Sequence, residues 1–141
     1  MSTDMIGVVV VTHGQLATEL LNAAEAIVGD LPRFAAVSVG WHDDTEDARE
    51  EIRQAVVRLQ GESGVLLLTD MFGGTPTNIG LSFVEPDRVE VVTGVNLPML
   101  IKLSSLRSSE RTLLEVARDL RETGRSAIQV ASDLLRADIK V

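Results

Sequence analysis

Residues 6–14 read Ile6-Gly7-Val8-Val9-Val10-Val11-Thr12-His13-Gly14. The four consecutive valines leave neither face polar, so Ile6–Thr12 predicts a strand covered on both sides, as in a parallel sheet beneath helices. Gln15–Val28 follows, with Leu16, Leu20, Ala23, Ala24 and Ile27 at helical spacing, and Gly29 stands where a helix would stop. Outward from this unit the alternation repeats. Phe34–Val39 predicts a second strand, and Thr45 can cap a helix running to Gln60, with Ala48, Ile52, Ala55, Val56 and Leu59 inward and Gly61 after it. Val65–Thr69 predicts a third buried strand. The turn Asp70–Thr75 then leads to a helix starting at Pro76, a favoured first-turn position for proline. Arg88–Thr93 predicts a fourth strand, Gly94-Val95-Asn96 a turn, and Leu97–Leu103 a short helix begun around Pro98. Ser109–Thr123 predicts the last clear helix, closed by Gly124, and Ala127–Ala131 a final short strand.

Repeated strand–helix units imply an α/β fold: an open, mostly parallel sheet with helices on both faces. Such sheets carry their chemistry at the carboxyl ends of the strands, where the strand order reverses. With the order 2-1-3-4, strands one and three are neighbours, and His13 faces Asp70 at that switch point.

Composition narrows the function. A chain of 141 residues fits one domain, residues 1–141, with enough core to need no staple. The sequence has no cysteine, which removes disulfide scaffolds and thiolate metal sites. A net charge of −8 argues against nucleic acid as a partner. One Trp and three Phe are too few to build stacking platforms for bases or a flavin. The run Ile6–Val11 is too short to span a bilayer and no positive segment precedes it, so a cytoplasmic protein is expected.

Two strands end in residues capable of chemistry: Thr12-His13-Gly14, and Asp70-Met71-Phe72-Gly73-Gly74-Thr75-Pro76-Thr77-Asn78. A carboxylate that accepts the Nδ1 proton of an imidazole fixes the tautomer and leaves the Nε2 lone pair free as a nucleophile. Helix amino ends just after His13 and near Thr75 present N–H groups and positive partial charge, which suit an incoming phosphoryl group. Gly14 lies beside the histidine, and Gly73 and Gly74 let the backbone turn its N–H groups toward a phosphate. Thr75 can cap its helix and donate its hydroxyl to a phosphate oxygen. Taken singly, each of these is also an ordinary strand-to-helix connection, and their joint placement carries the reading. His42, the other histidine, reads as loop, and two histidines without matched spacing make no metal site. Asn96 and Pro98 follow the fourth strand on the same rim and by themselves read as turn chemistry. Asp43, Asp44, Glu46 and Asp47 read as a solvated helix start.

The motifs Val11-Thr12-His13-Gly14, Asp70 to Pro76, Gly94 to Leu100 and Glu122-Thr123-Gly124-Arg125, in this order along nearly the whole chain, resemble the IIA domain of the mannose-type sugar phosphotransferase system. The resemblance implies that His13 is phosphorylated at Nε2 by the phosphocarrier HPr, that Asp70 orients it, and that Thr75 lies beside the phosphate. It implies a further site wall from Asn96 and Pro98, and no metal or organic cofactor. It also implies a IIB protein as phosphoryl acceptor, contact with the membrane only through a transporter complex, and a homodimer that exchanges a short antiparallel edge strand, here Ala127–Ala131. The exchange would cover an exposed sheet edge. Because no Ala/Pro-rich linker precedes Val141, the IIB partner is expected to be a separate protein, or the phosphate to act as a regulatory signal to another protein. The loop Val39-Gly40-Trp41-His42 departs from the family pattern, and Trp41 reads equally as a partner contact or as a cap over the site. Two competing functions are a histidine phosphatase or mutase, and a flavodoxin-like, non-catalytic ligand- or protein-binding module. The former lacks its usual arginine before the histidine, where Thr12 stands. The latter lacks the aromatics for flavin and the lysine of a P-loop.

Overall fold

The computed structural model describes residues 5–40, 44–107 and 110–139. Its elements run β1 (Gly7–His13), α1 (Leu16–Val28), β2 (Phe34–Val39), α2 (Thr45–Leu59), β3 (Val65–Thr69), α3 (Gly74–Leu81), β4 (Val89–Thr93), α4 (Leu97–Leu106), α5 (Leu113–Ser126) and α6 (Ala131–Ile139). All four strands are parallel in the order β2-β1-β3-β4, as expected.

Side chains alternate across the strands, so the valine run splits between two cores. Val8 and Val10, with Leu66 and Leu68, pack under α1, α4 and α5 against Ala24, Leu100, Leu103, Val116 and Leu120. Val9 and Val11, with Val65 and Leu67, pack under α2 and α3 against Ile52, Ala55 and Ile79. Each fully buried Val or Leu contributes about 1.5–3 kcal/mol relative to exposure. The register Val8↔Leu66 through Val11↔Thr69 keeps both cores aligned and brings the ends of β1 and β3 side by side.

Several boundaries differ from the expectation, each for a local reason. Asp44, not Thr45, caps α2, its carboxylate accepting the Glu46 N–H at 2.9 Å. α3 starts at Gly74 with Gly73 as its cap, so Thr75 lies inside the first turn and caps nothing. α4 continues to Leu106 because Leu103 and Leu106 keep the buried spacing. α5 starts at Leu113, fixed by a reciprocal capping box between Thr112 and Glu115. Gly124 does not close that helix but lies within it. A Cβ there would fall 2.7 Å from Met99 Sδ, so glycine lets α5 approach the start of α4. Ala127–Ala131 forms no strand within the chain. Ala127 ends α5 with its N–H on Thr123 O, and Ala131 opens α6. A strand needs a ladder partner, and among the described residues this segment makes only local turn bonds, such as Ile128 N–H to Arg125 O. Trp41 and His42 lie outside the described residues.

Candidate functional site

The site sits at the carboxyl ends of β1 and β3. His13 is the last residue of β1, and Asp70 follows β3 directly. Asp70 Oδ2 takes two bonds from the histidine: the ring nitrogen Nδ1 at 2.8 Å and the backbone N–H at 3.0 Å. An ionised carboxylate only accepts, so this contact has Nδ1 donating its proton, and in the neutral ring that tautomer leaves the lone pair on Nε2. The His13 side chain is 50% exposed and that of Asp70 13% exposed. The imidazole is thus half-exposed, while the carboxylate bonded to it is largely shielded.

Buried threonines hold these strand ends. Thr12 is fully buried, and its hydroxyl accepts the Ala17 N–H at 2.7 Å. It supplies the amino end of α1 with the partner that Gln15, at the cap position, does not give. Sequence reading did not single out this role, although a threonine one residue before a strand-end histidine and five before a helical alanine is the available signal.

Gly74 opens α3 against the imidazole. A Cβ at this position would lie 3.2 Å from His13 Cε1 and 3.4 Å from His13 Nε2, and its φ is +83°. The glycine thus keeps the space beside Nε2 open, in a conformation other residues rarely adopt. The cap of α3 supplies no side-chain partner to the N–H groups of its first turn, and Thr75 stands exposed in that turn. Pro76 and Thr77 are buried behind that turn. Gly14, with φ +57°, turns the chain from His13 into α1 and bonds its N–H to Val39 O on β2.

The Asn96 side chain is engaged structurally. Its Oδ1 caps α4 by accepting the Met99 N–H, and its Nδ2 donates to Gly124 O, both at 3.2 Å. The turn-chemistry reading of Asn96 thus holds, and Glu122 to Arg125 is the stretch of α5 that receives it. Pro98 stands exposed at the first turn of α4. A groove of about 570 Å³ runs along β4, the end strand of the sheet among the described residues, lined by Glu90, Val92, Asn96, Arg118, Arg121 and Ile128 among others. Phe72 and Thr77 form its border toward the site, but His13, Asp70 and Gly74 do not line it.

A family model described as "PTS system fructose IIA component" matches residues 7–120. The chain is 33% identical over 132 residues to the PTS system fructose-specific EIIA component of Bacillus subtilis, covering 93% of this chain and 90% of that one. It is 32% identical over 130 residues to the PTS system mannose-specific EIIAB component of Escherichia coli, covering 88% of this chain and 39% of that protein. Among solved structures, the mannose/sorbose specific IIA subunit from Enterococcus faecalis aligns with a TM-score of 0.80 at 29% identity. That alignment covers 89% of this chain and 94% of the other.

Proposed function

The chain belongs to the mannose-type EIIA family of the sugar phosphotransferase system, whose members are phosphohistidine carriers, and on that premise we propose that His13 Nε2 is the phosphoryl acceptor. The observation that carries this reading is the Asp70–His13 pair, which leaves Nε2 bare beside the opening of α3.

In the transfer, the P–N bond of the donor's phosphohistidine breaks as a P–N bond forms at His13 Nε2. The Nδ1 proton stays on His13, shared with Asp70. Positive charge that develops on the ring is balanced by the carboxylate, which needs no rearrangement because it already holds Nδ1. The phosphoryl oxygens meet the amino end of α3, where Gly73, Gly74 and Thr75 offer N–H groups and Thr75 a hydroxyl, with Gly14 lining the opposite side. The return step to a IIB acceptor uses the same geometry in reverse. Leu16, Met71 and Phe72 are exposed around this rim, Phe72 to 81%. Apolar side chains standing in solvent beside a reactive nitrogen fit a protein as donor and acceptor better than a small polar metabolite.

The family implies HPr as donor and a IIB protein as acceptor. A regulatory target in place of IIB, a cytoplasmic location and action as one domain belong to the same proposal. So does a homodimer in which residues 127–131 of one protomer pair with β4 of the other. Three features support the exchange: the position of β4 at the end of the sheet among the described residues, the groove beside it, and Ile128 and Val130 exposed in the segment that would fill it. The flavodoxin-like binding module is not favoured, because a bare, carboxylate-oriented imidazole has no task in it.

The test is a phosphorelay. The chain, phosphoenolpyruvate, Enzyme I and HPr are mixed and analysed by intact mass. One acid-labile phosphoryl group, absent in His13→Ala, is expected. Phosphorylation of His13→Ala at the wild-type rate would overturn the assignment.

A further inference from the structure

Asp70 is held on one side only. Its Oδ2 carries both bonds from His13, whereas Oδ1 is buried without a hydrogen-bond partner among the described residues. Among the described residues no other side chain bonds the carboxylate, so its aim at Nδ1 depends on the backbone turn from which it projects. Two buried hydroxyls grip that turn. Thr69, immediately before Asp70, is fully buried, and Thr77 on α3 is 1% exposed. Their hydroxyl oxygens are 2.7 Å apart, and Thr77 Oγ1 also donates to the backbone carbonyl of Met71, immediately after Asp70. A threonine hydroxyl has one proton. That of Thr77 is committed to Met71, so Thr69 is the donor in the first bond. The chain runs Thr69 O–H to Thr77 O–H to Met71 C=O, with each bond polarising the next. It brackets Asp70 on both sides and ties it to α3, the helix whose first residue borders Nε2.

We propose that Thr77 is a positioning residue for the acceptor histidine: its hydroxyl fixes the Asp70 turn and the start of α3 as one unit, so that Asp70 holds the Nδ1–H tautomer. The proposal rests on His13 being the acceptor, but its structural half can be read without any transfer.

Thr77→Val keeps the side-chain shape and removes the hydroxyl, leaving the Thr69 hydroxyl without an acceptor and the Met71 carbonyl without this donor. Two measurements are made on it: the rate of phosphorylation from phospho-HPr over a range of donor concentrations, and the ¹⁵N shifts of the unphosphorylated His13 ring, which report the tautomer. The maximal rate should fall about tenfold with the half-saturating donor concentration changed less than about twofold, because orientation and not docking is lost. The ring shifts should move away from a pure Nδ1–H form. Thr77→Ser should restore both. Thr69→Val, which spares the Thr77–Met71 bond, should fall between, and it carries the test if Thr77→Val does not fold. A folded Thr77→Val with wild-type maximal rate and unchanged ring shifts would overturn the proposal and leave Thr77 a packing residue. If the wild-type chain takes no phosphate, the acceptor reading fails. The ring shifts of Thr77→Val and Thr69→Val then still decide whether the hydroxyls position His13.

Discussion

Replacing Gly74 by alanine separates the two things that this glycine does. With φ at +83°, the alanine must adopt left-handed backbone, which costs about 1–2 kcal/mol. In a domain of this size that lowers the melting temperature by about 3–8 °C. The new methyl carbon also lies 3.4 Å from His13 Nε2. A phosphorus atom poised for attack needs that nitrogen at about 3–3.5 Å, so methyl and phosphoryl group compete for the same space. Phosphate acceptance should fall by about 100-fold or more, the scale expected when reacting atoms are held about 1 Å from their productive positions. Gly73→Ala is the matched comparison. Its φ is +86°, yet its Cβ would meet nothing within 4 Å. With ψ at 175°, in a region essentially reserved for glycine, it should lose at least as much stability but far less transfer rate. The assay is the initial rate of phosphorylation from phospho-HPr, with melting followed by circular dichroism. Equal rate losses in the two variants would refute the steric argument, leaving backbone strain as the whole effect.

Other expectations follow from the same geometry. Asp70→Ala should slow acceptance by about 100-fold or more while the protein stays folded, since it removes the partner of Nδ1 and the balance for ring charge; unchanged kinetics would mean that the tautomer is fixed otherwise. Asn96→Ala should cost about 0.5–2 kcal/mol in urea unfolding through loss of the α4 cap, with its second bond to Gly124 O adding toward the upper end. A smaller loss would mean that solvent replaces both bonds. Glu115 is held below its ordinary value of 4.5, first by the Thr112 backbone N–H and then by the Thr112 hydroxyl. A depressed carboxylate contributes stability above its unfolded value and loses it as pH falls through the folded one. The urea midpoint of Glu115→Gln should therefore drop less than that of wild type on acidification below pH 4.5.

Much of the fold was legible because the strands announce themselves. Ile6–Thr12 and Val65–Thr69 are apolar on both faces, which only a doubly covered sheet accommodates. With the strand order 2-1-3-4, that puts His13 and Asp70 at adjacent strand ends. Other features depend on contacts that no local pattern carries. The partner of Thr12 is on the next helix, and that of Thr69 lies beyond a Gly-Gly turn, so both threonines read simply as strand residues. Gly124 stands near the end of a helical pattern and reads as a stop, whereas its packing against Met99 keeps it inside the helix. Ala127–Ala131 has the composition of a strand but makes only local bonds within one chain. α6 was missed because its described side chains are all exposed and give no buried stripe to detect.

The most direct test of the central claim is which ring nitrogen of His13 carries the phosphate. Phosphorylated, ¹⁵N-histidine-labelled protein examined by long-range ¹H–¹⁵N correlation distinguishes the two. Phosphate on Nε2, with the proton retained on Nδ1, is the predicted result. Phosphate on Nδ1, the nitrogen that Asp70 holds, would contradict the account.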